Sequence, residues 1–213
     1  MINFAGRLAM YDCIIFDIDG TILDTREVSL LAVQKAYFEE SGNLLPLAEL
    51  SFAFGITTQN TAKRLHVADA VAFTNRIDEH YHHLSYKNRI FPGMKKAISD
   101  LYAQNTVLGI VTSKTIWEYQ HDFRLFELEK YFKTAICVED TPRHKPEPEP
   151  LFEFFARSGQ RAETSLYIGD SANDQLCARA AGVDFALAGW GAVESLSAKY
   201  VLSEPDEIFD IMK

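Results

Sequence analysis

The stretch CIIFDIDGTILDT, residues 13–25, runs an apolar β-type segment into two aspartates, Asp17 and Asp19, followed by Gly20 and Thr21. Two carboxylates aimed at nearly one place repel each other, and a solvated loop offers cheaper positions for acids. The arrangement makes sense if something positive sits between them, at the carboxyl end of a buried strand.

Three further β-rich runs share this character: TVLGIVT (106–112), TAICV (134–138) and SLYIGD (165–170), with a weaker fifth, DFALAG (184–189). Continuous Val, Ile, Leu and Phe, rather than strict alternation, predicts strands covered on both faces. Helical spacing separates them at 93–104, 150–159 and 171–182. Strand–helix alternation predicts an α/β fold with a doubly wound, mainly parallel, Rossmann-like sheet. Its ligands would bind beyond the strands' carboxyl ends.

Residues 25–90 break that rhythm. They hold no convincing strand and show helical spacing in VSLLAVQKAYFEE, TQNTAKRL and VADAVAFTNRIDEHYHHL, before FPG (91–93) restarts the alternation. The expected organisation is a core of residues 1–24 and 91–213, with 25–90 inserted as an all-helical cap over the two aspartates.

The bulk properties bound the function. At 213 residues and 47% hydrophobic, the chain can bury a substantial core. A net charge of −9 argues against nucleic acid or acidic membrane surfaces as partners. Three scattered cysteines, Cys13, Cys137 and Cys177, form no CxxC pair and read as reduced core residues of a cytoplasmic protein. No run reaches the ~18 apolar residues of a membrane span. Residues 1–9 lack a signal-peptide pattern and are read as an upstream start or an appended remnant.

The chemistry-bearing residues fall at predicted strand ends: Asp17 and Asp19 after the first, Thr112 and Ser113 after the second, Asp170 after the fourth. Asp174 lies one helical turn beyond Asp170, and Lys145 sits in RHKPEPEP after the third strand. Carboxylates without Cys or His donors point to a hard cation, most simply Mg²⁺, which with Lys145 would answer the charge problem. An aspartate can attack phosphorus once cations offset the repulsion, while hydroxyl and backbone donors at Gly20, Thr21 and Ser113 hold the phosphoryl oxygens. Asp19 is placed to protonate a leaving alcohol and then activate water. Gly20 permits the sharp turn.

The segments DIDGT, VTS, HKPEP and GDSANDQLCARAAG, in this order and spacing, resemble the four motifs of the haloacid dehalogenase superfamily over the whole chain. The inserted helices resemble that superfamily's cap placed after the first motif, and the chain looks most like its phosphoglycolate phosphatase-type members. The resemblance implies a phosphoric monoester hydrolase with Asp17 as nucleophile and Asp19 as general acid/base, and with Thr112 and Lys145 binding the phosphoryl group. It further implies Mg²⁺ held by Asp17, the backbone carbonyl of Asp19 and Asp170, with Asp174 orienting that sphere. The implied partner is a small phosphate ester, and the protein is expected as a monomer or homodimer.

Each candidate has a plainer reading: Asp17 and Asp19 as an ordinary acidic turn, Asp170 and Asp174 as helix-start acids, Lys145 as a solvated lysine, and Thr112, Ser113 and Lys114 as strand-end residues. Asp24 and Thr25 are read as caps of the next helix. HYHH (80–83) is read as a solvated cap helix, and GWGA (189–192) as a loop. Three other functions compete. A β-phosphoglucomutase-type mutase needs a cap cation for a second phosphate, where this chain has Thr58. Inorganic pyrophosphate is an alternative substrate. A non-catalytic aspartyl-phosphate signalling module would be shorter and capless. A dehalogenase is disfavoured, because Asp19 serves phosphoryl chemistry and carbon–halogen displacement does not need it.

Overall fold

A computed structural model describes residues 11–212; the expectation for residues 1–9 lies outside them. Six strands form one all-parallel sheet: β1 (Cys13–Phe16), β4 (Val107–Val111), β5 (Thr134–Ile136), β6 (Ser165–Gly169), β7 (Asp184–Ala188) and β8 (Tyr200–Leu202). Their spatial order is β5-β4-β1-β6-β7-β8. Renumbered within the sheet, that is 3-2-1-4-5-6, the doubly wound order, whose direction reverses between β1 and β6. Asp17 and Asp170 leave those two strands, so the topology itself brings them together.

Period-two alternation assigns the side chains to two cores. Ile14, Phe16, Ile110 and Ile168 face α4 (Met94–Ala103), α5 (Ile116–Phe126) and α8 (Ile208–Ile211). Cys13, Ile15, Val111 and Tyr167 face α6 (Glu149–Ser158) and α7 (Ala172–Ala181). Both faces are covered, which is why the strands read as unbroken apolar runs.

Residues 25–90 hold three α-helices, α1 (Arg26–Ser41), α2 (Thr58–Arg64) and α3 (Ala70–Leu84). These three bury a separate apolar cluster that includes Val28, Val33, Phe73 and Ile77. Two residues at each end of the interval pair as a short antiparallel ribbon, β2 (Leu23–Asp24) with β3 (Arg89–Ile90). That ribbon and β8 are absent from the sequence reading, and so is α5. The three cysteines are buried and unpaired, as expected. No helix among the described residues is long and apolar enough to cross a membrane.

Candidate active site

β1 ends by delivering Asp17, whose carboxylate is almost wholly buried. Its Oδ1 accepts from Lys145 Nζ at 2.8 Å, and the same ammonium reaches Asp174 Oδ1 at 2.7 Å and Tyr167 Oη at 3.3 Å. Burial works against the Lys145 charge, but Asp17 and Asp174 outweigh it and hold the ammonium's pKa above the usual lysine range. Burial pushes the Asp17 carboxyl up to about 7, with Lys145 opposing and Asp174 and Asp19 adding to the rise. Burial, Asp174 and Asp17 likewise push Asp170 well above the usual carboxylate range.

Asp174 heads α7 as part of a capping box with Ser171. Its carboxylate is saturated: Lys145 and Tyr167 on Oδ1, the Ser171 amide and hydroxyl on Oδ2. It is arranged to orient Lys145 and the start of α7. Asp170 is the opposite case. It is 5% exposed and has no hydrogen bond or ion pair among the described residues. Carboxylate oxygens of Asp17, Asp170 and Asp174 all lie within 4.8 Å of one another. Three buried carboxylates against one lysine, one of them without any partner, fit a hard dication bound through oxygen.

Two glycines let the backbone close around this point. Gly20 has φ +77, and a Cβ there would lie 2.1 Å from Asp170 Oδ2. A Cβ on Gly191 would lie 1.8 Å from the Gly20 carbonyl oxygen. Beside it, Trp190 Nε1 donates to the Thr21 carbonyl at 2.9 Å. The GWGA segment, read from sequence as a plain loop, therefore buttresses the turn that carries Asp19. Thr112 is buried at the end of β4, where its Oγ1 accepts the Lys114 amide at 3.2 Å, and Ser113 is half-buried beside it. Thr21 stands apart from these candidates: its hydroxyl is enclosed, without a partner, and not open to a ligand in this conformation.

Asp19 shows what the sequence reading missed. Its Oδ1 accepts from Thr25 Oγ1 at 2.5 Å and lies 3.0 Å from Lys114 Nζ. Thr25 occupies the N-cap position of α1 but makes no side-chain cap bond, so its expected capping role is replaced by a contact to Asp19. Lys114 is not solvated: its side chain is 3% exposed and also meets Asp122 and Tyr81. Tyr81 lies within the HYHH run. Its neighbour His80 pairs with Glu39.

A cavity of about 260 Å³ opens from Asp19, Ser113 and Lys114 toward the helices above, with Thr58, Asp78 and Glu118 among its lining. A model of the haloacid dehalogenase-like hydrolase family matches residues 14–188. The chain belongs to this family. Phosphoglycolate phosphatase from Cereibacter sphaeroides is 31% identical over 213 residues, covering 94% of this chain and 97% of that one. Pyrophosphatase PpaX from Halalkalibacterium halodurans is 28% identical, covering 93% and 95%. A crystal structure of a provisionally named phosphoglycolate phosphatase from Lactobacillus plantarum superposes with a TM-score of 0.88 at 25% identity, covering 95% and 99%. Two of these three proteins are named phosphoglycolate phosphatases and one a pyrophosphatase, and this hydrolase shares its core with the solved one.

Proposed function

We propose that this hydrolase is a Mg²⁺-dependent phosphatase of small phosphomonoesters, phosphoglycolate-like or sugar phosphates, working through an aspartyl phosphate on Asp17. The observation that carries the reading is the state of the Asp17 carboxylate. Oδ1 is fixed by Lys145, while Oδ2 has no hydrogen-bond partner among the described residues and is free to attack. Residues 25–90 serve as the cap, and 1–24 with 91–213 as the catalytic core.

Asp17, the Asp19 carbonyl and Asp170 would hold the Mg²⁺, with Asp174 steadying them from behind. When bound, Mg²⁺ supplies Lewis-acid charge that offsets the repulsion between carboxylate and phosphate dianion. Lys145 adds a fixed positive charge beside Asp17, and the hydroxyls of Thr112 and Ser113 receive the phosphoryl oxygens. Oδ2 of Asp17 forms the bond to phosphorus as the ester oxygen leaves. Asp19 gives that oxygen a proton, then takes one from the water that attacks the phosphoenzyme.

The cavity favours hydrolysis over a mutase cycle. Among its lining residues Lys114 is the one lysine or arginine, and it is already engaged by Asp19 and Asp122. Asp78, Glu118 and Glu139 line the same space, a poor setting for a second phosphate. Phosphate release measured across p-nitrophenyl phosphate, phosphoglycolate, sugar phosphates and pyrophosphate tests the reading. Turnover of monoesters with added Mg²⁺ is expected, and no release from any of them would refute it.

A further inference from the structure

Lys114, Asp122, Tyr81 and Asn88 form a buried polar cluster for which the reaction outlined above has no role. Asp122, on α5, is fully buried. The Lys114 ammonium meets Asp19 Oδ1 at 3.0 Å, Asp122 Oδ2 at 3.0 Å and Tyr81 Oη at 2.8 Å, one partner for each of its three N–H bonds. Tyr81 Oη donates to Asp122 Oδ2 at 2.8 Å and accepts from Asn88 Nδ2 at 2.7 Å. The Asn88 amide also approaches Asp122 Oδ1 at 3.3 Å. Asp122 is thus satisfied on both oxygens, and the Tyr81 hydroxyl donates once and accepts twice.

Stability alone is a weak reason for such a cluster. Desolvating a lysine and a carboxylate consumes most of what their attraction returns, and apolar side chains of similar volume would hold α5 in place as well. What the cluster does hold is one atom. Asp19 Oδ1 receives both the Lys114 ammonium and the Thr25 hydroxyl, while Asp19 Oδ2 has no partner among the described residues. A carboxylic proton does not settle on an oxygen already accepting from an ammonium and a hydroxyl.

We propose that Asp122 and Tyr81 are positioning residues: they fix the Lys114 ammonium on Oδ1 of Asp19, so that Oδ2 is the oxygen that exchanges a proton with the leaving alcohol and the attacking water. The proposal rests on the phosphatase reading above and adds to it a reason for the side-chain geometry of Asp19. In the first step Oδ2–H breaks as the proton passes to the departing ester oxygen. In the second, Oδ2 takes a proton from the water that attacks phosphorus, which restores the acid. Tyr81 lies on α3 and Asn88 just before β3, so the helical layer reaches the proton donor through this cluster.

The test compares Asp122→Asn and Tyr81→Phe with wild type in single-turnover phosphorylation by two substrates. An alkyl phosphate has a leaving alcohol that needs a proton, and p-nitrophenyl phosphate does not. Positioning predicts a loss of roughly tenfold or more on the alkyl ester, part of the about 10²–10⁴ that a placed acid supplies. The loss on p-nitrophenyl phosphate should be under about threefold, with KM unchanged for both. Equal losses on the two substrates in a folded variant, or no loss on either, would overturn the proposal. If Asp122→Asn does not fold, Tyr81→Phe, which removes only a hydroxyl, decides. Wild-type turnover of p-nitrophenyl phosphate separates the failures: without it the phosphatase reading itself is lost, and with it only the positioning claim is at stake.

Discussion

Lys145 Nζ lies 2.8 Å from Asp17 Oδ1 although 128 residues separate the two in the chain. That contact joins the loop after β5 to the end of β1, across the strand β4 that lies between them in the sheet. It also sets the charge balance of the site. One ammonium stands against the buried carboxylates of Asp17, Asp170 and Asp174, and the imbalance shapes how the protein should respond to metal.

A dication should therefore both activate and stabilise this hydrolase. Chelation with EDTA is expected to abolish phosphate release, and Mg²⁺ to restore it better than Ca²⁺, which accepts more oxygens in looser geometry. Because the ion would bind the folded site and not the unfolded chain, Mg²⁺ should also raise Tm. Full activity after exhaustive chelation would contradict the account, as would a Tm indifferent to Mg²⁺.

Asp19→Asn removes the transferable proton while keeping the shape. Both phosphorylation by an alkyl ester and hydrolysis of the phosphoenzyme should slow by about 10²–10⁴-fold. Phosphorylation by p-nitrophenyl phosphate should suffer less, because p-nitrophenolate leaves without help. Pre-steady-state release of p-nitrophenolate measures this directly, and equal damage with both esters would mark Asp19 as structural.

Asp78 gives a stability prediction whose sign follows from its surroundings. Burial, with Glu118 and Glu139 adding, raises its carboxyl from 3.8 to about 6. The ionised form is thus disfavoured in the folded state. The resulting destabilisation is absent below about pH 4, grows between the two pKa values and is complete above about 6. Asp78→Asn should stabilise the protein near neutral pH by about 1 kcal/mol, allowing for solvent screening of a partly exposed group. The gain should vanish by about pH 4 in thermal melts across that range. A gain equal at both ends, or a loss near neutrality, would show that the carboxylate is not strained in this way.

The cavity above Asp19 predicts hydrolysis rather than isomerisation. Thr58, Asp78, Glu118 and Glu139 line that space, and its one lysine or arginine, Lys114, is already engaged by Asp19 and Asp122. Incubation with β-glucose 1-phosphate and a trace of the 1,6-bisphosphate should yield free phosphate and little glucose 6-phosphate. Glucose 6-phosphate formed faster than phosphate would reverse the assignment.

The main sheet was legible because buried parallel strands write themselves as apolar runs; their carboxyl ends named Asp17, Thr112 and Asp170, and the loop after the third strand named Lys145. Other elements left weaker marks. The ribbon of Leu23–Asp24 with Arg89–Ile90 is too short to show a period. Helix α5 did carry a signal, the capping box of Thr115 and Glu118, but its apolar positions are interrupted by Glu118, Gln120, His121 and Asp122. Lys114 could not be told from an ordinary strand-end residue, because its burial depends on Asp122 and on Tyr81 from another helix. Thr25 was misread for a related reason: a threonine before a helix normally caps it, and here a neighbouring carboxylate takes the hydroxyl instead.

The central claim is that the phosphoryl group passes through Asp17, and covalent capture tests it most directly. The enzyme is mixed with substrate and Mg²⁺ for a single turnover, quenched in acid at successive times, and the peptide containing Asp17 is analysed by mass spectrometry. The account predicts one phosphoryl group on Asp17 that rises and then decays as phosphate appears. It predicts none in Asp17→Asn, whose phosphate release should fall below about a thousandth of wild type without loss of fold. Phosphate released with no phosphorylated enzyme at any time, or with the group on another residue, would contradict it.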